Sequence, residues 1–230
     1  MKKLMLPAVL MIFVFPLSAQ ENKSYPVKVG ESPNKVLPPE AQYVFPEFKP
    51  GSAYFRIGFP VIKFFNYNFL LDEIQFIEDN GDTLAIADPL LITKIVIDSS
   101  VFYYNKGYLR EIVNINNYKL ALKQNMVQIA DKTRGAYDAA SGASSITTYG
   151  TINNNSQLYR LQVKKDVLFQ EVDGYYISDL FNNFIKADKK GFLTVFEESK
   201  PGITNYIKKE KLNLHKEGDL KKLMAFCAGE

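Results

Sequence analysis

The sequence predicts an α+β fold. An antiparallel β-meander sheet, with strong curvature or barrel-like closure open to it, is followed by a C-terminal helical segment packed on the sheet. Three observations carry this reading. Ile62 to Tyr104 holds the densest β-branched and aromatic runs, broken at short intervals by turn signals. Two-residue alternation of apolar and polar positions continues as far as Ile177. After Ser178 the apolar spacing lengthens to that of helices.

Residues 1–20 read as a signal peptide. Lys2 and Lys3 precede an apolar run from Leu4 to Leu17, too short to span a bilayer comfortably, and Ser18-Ala19-Gln20 supplies a small-residue exit. The expectation is an exported protein, periplasmic or extracellular, with cleavage after Ala19 or Gln20. No Cys lies near that exit, which argues against a lipid anchor, and no later run is long and apolar enough for a transmembrane helix. The chain has 28 basic and 25 acidic residues, so losing Lys2 and Lys3 leaves a formal charge of +1. Nothing in that balance argues for nucleic acid or anionic lipid as a partner, and no nucleic-acid partner is expected. The single Cys, Cys227, excludes an intramolecular disulfide. It shares a helical face with Leu220, Leu223 and Met224, which reads as a small buried hydrophobe.

Residues 21–50 form a proline-rich, extended lead-in, with Pro26, Pro33, Pro38, Pro39 and Pro46, pinned by Tyr43-Val44-Phe45. Residues 51–177 are the β domain. Its predicted strands are Ala53 to Phe59, Val61 to Phe65, Ile74 to Ile77, Thr83 to Ile86, Lys94 to Ile97, Val101 to Tyr104, Tyr108 to Ile115 and Tyr118 to Ala130. Asn80-Gly81 is a hairpin signal matching a type I′ turn, where both central residues take positive φ. Asp98-Ser99-Ser100, Asn105-Lys106-Gly107 and Asn116-Asn117 mark further turns. In the long strand from Tyr118 the apolar phase slips near Gln124-Asn125, predicting a bulge. Residues 131–157, rich in Ser, Thr, Gly, Ala and Asn, read as a mobile loop. Strands resume at Leu158 to Val163, Val167 to Val172 and Tyr175 to Ile177, with Asp173-Gly174 as a turn.

Residues 178–230 read as helical. Ser178 or Asp179 caps a first helix carrying Leu180, Phe181, Phe184 and Ile185. Asp188 caps a second with Phe192, Leu193 and Phe196. Pro201 opens a third with Ile203, Tyr206 and Ile207. Asp219 starts a fourth.

Two stretches carry a family likeness. One is Asn66-Tyr67-Asn68 with Glu73-Ile74-Gln75-Phe76-Ile77 and Gly81-Asp82-Thr83-Leu84. The other is Ile203-Thr204-Asn205-Tyr206-Ile207-Lys208, then Lys211-Leu212, then Asp219-Leu220 with Leu223 and Phe226. Together they resemble exported proteins of Bacteroidota of unassigned function. The resemblance implies the compartment and the strands-then-helices order, and implies no activity, cofactor or catalytic residue.

Chemistry has few carriers. His215 is the sole histidine and sits in a link between predicted helices, so a His-based triad or multi-His zinc site has one residue to stand on. No Gly-x-Ser-x-Gly elbow, dinucleotide loop or phosphate loop is present. Glu78-Asp79-Asn80-Gly81-Asp82 lacks the spaced acidic ending of a calcium loop. No catalytic residue, metal site or cofactor is therefore assigned. Neighbouring acids such as Asp72-Glu73 point to opposite faces of a strand and cannot form one pair. The tyrosines Tyr103, Tyr104, Tyr108 and Tyr118, in or beside strands, are the candidate ligand- or partner-binding residues. The expected function is a non-enzymatic envelope binding protein, whose partner is an envelope protein, a glycan or a lipid. The alternatives are a carboxylate-based hydrolase of envelope glycans and a carrier of an apolar ligand.

Overall fold

The computed structural model describes residues 23–129, 162–163 and 166–229. The expected signal peptide, the loop 131–157 and most of the strand Leu158 to Val163 lie outside these residues. Eleven strands form one antiparallel sheet. They are β1 (Ser24–Val27), β2 (Lys49–Phe55), β3 (Val61–Asn68), β4 (Glu73–Ile77), β5 (Thr83–Ala85), β6 (Ile92–Ile97), β7 (Ser100–Tyr104), β8 (Tyr108–Ile115), β9 (Tyr118–Ile129), β10 (Val167–Ser178) and β11 (Phe184–Lys186). The α-helices among the described residues are α1 (Pro33–Val36), α2 (Lys189–Val195), α3 (Lys200–Lys209) and α4 (Glu217–Ala228). No described helix is long and apolar enough to cross a membrane.

The order is β1-β10-β9-β8-β7-β6-β2-β3-β4-β5, with β11 also on β10. The sheet is open and not strongly curved, which corrects the strongly curved and barrel-like options: among the described residues β5 pairs only with β4, while β1 and β11 pair only with β10. The meander β6–β9 follows from short turns. Asn116 and Asn117 both take positive φ, so the two-residue type I′ loop is here, between paired Ile115 and Tyr118. At Asn80-Gly81 only Gly81 has positive φ, and the Gly81 amide donates to the Glu78 carbonyl at 2.9 Å. The loop Asp79–Gly81 is one residue longer than the type I′ form, with Gly81 taking the left-handed position.

Three local readings are overturned. Asp173-Gly174 is no turn: both lie within β10, paired with Gln124 and Lys123 of β9. The β9–β10 register runs unbroken, so no bulge sits at Gln124; the shift lies in β8, between Glu111 and Val113. The helix expected after Ser178 is a turn leading to β11. The Asp179 carboxylate accepts from the amides of Phe181 and Asn183, and Asn182 takes φ +64°, which closes a loop where a cap would have opened a helix. Leu180 and Phe181 are accordingly exposed.

The sheet extends beyond residues 51–177 at both ends of the chain. Ser24–Val27 adds to β10, with Pro26 tolerated because the strand is an edge. The Tyr43 to Phe45 pin forms as expected: Tyr43 bridges Asn68, and the Asn66 amide group and the Phe45 backbone exchange hydrogen bonds. Asp188 caps α2 by accepting from the Gly191 amide at 2.8 Å, and Pro201 lies in the first turn of α3.

By register, one face of β8–β10 carries two cores. Tyr108, Met126 and Phe169 join the first with Tyr67 and Phe102. Ile115, Leu120 and Ile177 join the second with Phe192, Ile203, Leu220 and Leu223 from the helices. The reverse face holds a small cluster of Tyr103, Leu109, Ala121 and Phe184.

Candidate functional site

The four tyrosines singled out from sequence do not share a surface. Tyr103 is on the reverse face, 9% exposed, with its ring against Phe184 and its hydroxyl donating to Glu111 Oε2 at 3.1 Å. Tyr104 and Tyr108 meet edge-to-face at 5.3 Å on the opposite face, and Tyr108 is 3% exposed. Tyr118 packs on Phe196 in the helical core at 4.6 Å. Burial raises the hydroxyl pKa of Tyr103 and of Tyr108, with Glu111 and Asp72 adding respectively. Most of these ring surfaces are taken up by internal packing.

Tyr108 belongs to a polar knot. Asp72, in the β3–β4 turn, takes φ +54°. Its carboxylate accepts from the Tyr67 hydroxyl at 2.9 Å and the Tyr108 amide at 3.0 Å, and pairs with Lys123 at 3.1 Å. Lys123 also donates to the Lys106 carbonyl at 2.7 Å. Gly107, at φ +121°, is required here because a Cβ would strike both the Lys123 ammonium and the Asp72 carboxylate. Every charged member has its partner, so the knot is a clamp between two turns and leaves no group free for chemistry.

The unsatisfied groups lie elsewhere. Between the two cores, the shared face turns polar: Arg110 on β8, Gln124 on β9, Glu171 and Asp173 on β10. The Gln124 amide donates to Glu171 at 3.0 Å. Arg110 Nε and Gln124 Oε1 are buried with no protein partner. This belt explains the phase slip in β9: Gln124 replaces an apolar residue on the core face, and Met126 restores the pattern.

The belt opens at the outer edge of β10 into a groove of about 720 Å³. Its floor is Gln170 to Tyr176. Lys23, Tyr25 and Glu40 form one wall; Lys186 to Asp188 with Leu214 and His215 form the other. The floor is a bare strand edge. β1 pairs with Val167 to Gln170 and β11 with Tyr176 to Ser178, so among the described residues no strand lies beside the outer edge of Glu171 to Gly174. The Tyr175 carbonyl just beyond accepts from the Ala187 amide at 2.9 Å.

The chain matches no family model, no curated protein and no solved structure.

The groove's electrostatics follow from its acids. Asp173 reaches solvent, yet partial desolvation by the groove walls and the nearby Glu171 raise its carboxyl pKa, against a lowering by Arg110. Burial, then Glu40 and Glu171, raise the Tyr25 hydroxyl; burial, then Asp173 and Glu217, raise that of Tyr175. Glu171 and Asp173 are two apart on one strand, so both carboxylates project to the same side, unlike Asp72 and Glu73. His215 lies on the rim, its backbone amide held by the Asn213 side chain. Sequence reasoning passed over Glu171 and Asp173 because it placed a turn at Asp173-Gly174. The available signal was the polar interruption of the core face at Gln124. Among the described residues, no cluster of His, Cys, Asp and Glu is suited to a metal ion.

Proposed function

We propose that this is a non-enzymatic cell-envelope binding protein that takes an extended, cation-bearing segment of an envelope partner into the β10 groove. The observation that carries the reading is the bare edge of Glu171 to Gly174 between β1 and β11. An extended peptide completes such an edge by backbone hydrogen bonds, and flanking side chains select its sequence. Glu40, Glu171, Asp173 and Asp188 favour a basic segment, and Tyr25 and Tyr175 offer ring surface beside the floor. The leader from Lys2 to Leu17 supports the envelope compartment, and a mature N-terminus at Gln20 or Glu21 is its direct readout.

The test is selection of extended peptides on the exported protein from a displayed library. Enriched peptides should slow amide exchange at residues 171–174, and Glu171→Ala with Asp173→Ala should weaken them about tenfold or more. Peptides that enrich but protect other amides would place the site elsewhere; a library with no enrichment would remove the reading.

A second reading, hydrolysis of an envelope glycan, is favoured by one observation. Asp173, its carboxyl pKa raised by burial and then by Glu171, projects to the same side of β10 as Glu171, as the acid of a glycosidase stands near a second carboxyl group. It requires release of reducing ends from envelope glycan, abolished by Asp173→Asn. An apolar-ligand carrier has no such support, since the groove is open and walled by charged residues.

A further inference from the structure

Asp173 stands within the bare edge of β10 and reaches solvent, and among the described residues no hydrogen bond or ion pair engages its carboxylate. Its partner across the ladder, Gln124, holds a second idle acceptor: Oε1 is buried with no protein partner, while the amide nitrogen is engaged with Glu171 at 3.0 Å. Along β10 the neighbours of Asp173 on the same side are Glu171 and Tyr175. Charge around the groove is unbalanced. Glu40, Glu171, Asp173 and Asp188 line it together with Lys23 and Lys186, four acids against two lysines. Beyond the lining, Glu217 and Arg110 act on Asp173 with opposite signs, Arg110 through its field from two strands away.

We infer, resting on the peptide reading of this edge, that the groove selects arginine over lysine at the ligand position across from Asp173. A residue paired with Asp173 points its side chain to the same side, with the two Cβ atoms about 5 Å apart. Charge alone would be met by either base. The two idle acceptors, however, lie on adjacent strands. A guanidinium offers five donors in a fixed plane, where an ammonium is a compact point charge. The Tyr175 ring, next along the strand on the same side, gives that plane a face to stack on. A guanidinium is also more weakly hydrated, so it comes beside the buried Gln124 oxygen at a smaller desolvation cost. The demand falls on one position. Glu171 already accepts from Gln124, and Lys23 is the residue next to Ser24, which pairs with Gln170. Ligand residues across from Val172 and Gly174 face the reverse side of the sheet, away from the acids.

The test titrates the exported protein with capped pentapeptides, acetyl-Thr-Val-X-Val-Thr-amide, in which X is arginine, lysine or the uncharged citrulline. Calorimetry reads affinity and amide exchange at residues 171–174 reads the site. The arginine peptide should bind about tenfold or more tightly than either of the others. Asp173→Asn should remove most of its margin over citrulline, and Gln124→Met should narrow its margin over lysine to about twofold, with circular dichroism unchanged in both variants. Equal affinity of the arginine and lysine peptides, with protection at residues 171–174, overturns the selection and leaves the peptide reading standing. Failure of all three to bind or protect at millimolar concentration overturns the edge as a peptide site and the selection with it. An arginine preference that survives both substitutions has its source elsewhere and overturns the assignment to Asp173 and Gln124.

Discussion

Asn80-Gly81 and Asp173-Gly174 carry the same turn chemistry and meet opposite fates. The first pair turns the chain between β4 and β5, with Gly81 at φ +90°. The second runs straight through the middle of a twelve-residue strand. The difference lies in what flanks them. Beyond Gly81 the chain has only β4 to pair with and forms a three-residue edge strand. Around Asp173, β9 offers a continuous partner, paired from Leu168 with Ile129 to Ser178 with Lys119. A turn there would break that ladder and pull Phe169 and Ile177 out of their cores. Long-range pairing therefore overrides a local preference worth about 1 kcal/mol. The residue left in the strand as a result is the acid on the groove floor.

The comparison breaks first in the helical core. If packing holds β10 extended, Leu223→Ala should cost about 2–5 kcal/mol, because Leu223 is fully buried beside Leu120 and Ile177. Lys222→Ala, on the exposed side, should cost under about 0.5 kcal/mol. Denaturant melts measure both, and equal small effects would mean the helices contribute little to the strand.

The glycines give the sharpest contrast. Gly81→Ala should destabilise by about 1 kcal/mol, since an Ala cannot comfortably take φ +90° although space is open. Gly174→Ala should be neutral or stabilise by up to about 0.5–1 kcal/mol: its φ is ordinary, and an added Cβ meets Tyr176 at 3.5 Å. Thermal melts of the two variants should move in opposite directions or differ clearly; matching losses would mean Gly174 is under turn-like strain.

The smallest effect is in pH. The carboxyl pKa of Asp173 is raised in the folded protein, so the folded state loses stability as pH rises through that value, relative to a chain with an ordinary Asp. Asp173→Asn should remove this penalty. The variant should gain on the parent at neutral pH and lose the gain below the usual Asp range. Solvent reaches the group, so the difference should stay within about 0.5 kcal/mol. A larger gain at acid pH than at neutral pH would reverse the assignment.

Legibility followed the range of the governing interaction. Asn116-Asn117, Asp98-Ser99 and Asn105 to Gly107 encode their turns locally, so the meander β6–β9 was readable. The caps Asp188 and Pro201 are local too, and α2 and α3 were readable with them. Asp179 misled because an Asp satisfies amides equally well at a helix start and in a tight turn; Asn182 at positive φ decides between them. How far the tyrosines are buried was not legible, because alternation gives a side and cannot say what covers it. The groove was illegible for a deeper reason. Its floor exists because β1, from the start of the chain, stops at Gln170 and β11 begins at Tyr176. The first meeting joins distant parts of the chain and the second follows the turn at Asp179 that reads as a helix start, so no local pattern marks the gap.

The placement of β2 between β6 and β3 also sets an order of assembly. Every ladder from β6 to β10 joins neighbours in sequence, as do β2 with β3, β3 with β4 and β4 with β5. β2 with β6, β9 with β10 and β1 with β10 close long stretches of chain. Such closures lose more entropy before contacts reward them, and so come late. The meanders β2–β5 and β6–β9 can form early, with unpaired rims at β2 and β6; the β2–β6 pairing welds them, and β10 and then β1 add at the edge of β9. Until that event the rims are the chain's adhesive surfaces, so folding yield should respond to substitutions along Ala53 and Ile95 more steeply than final stability does.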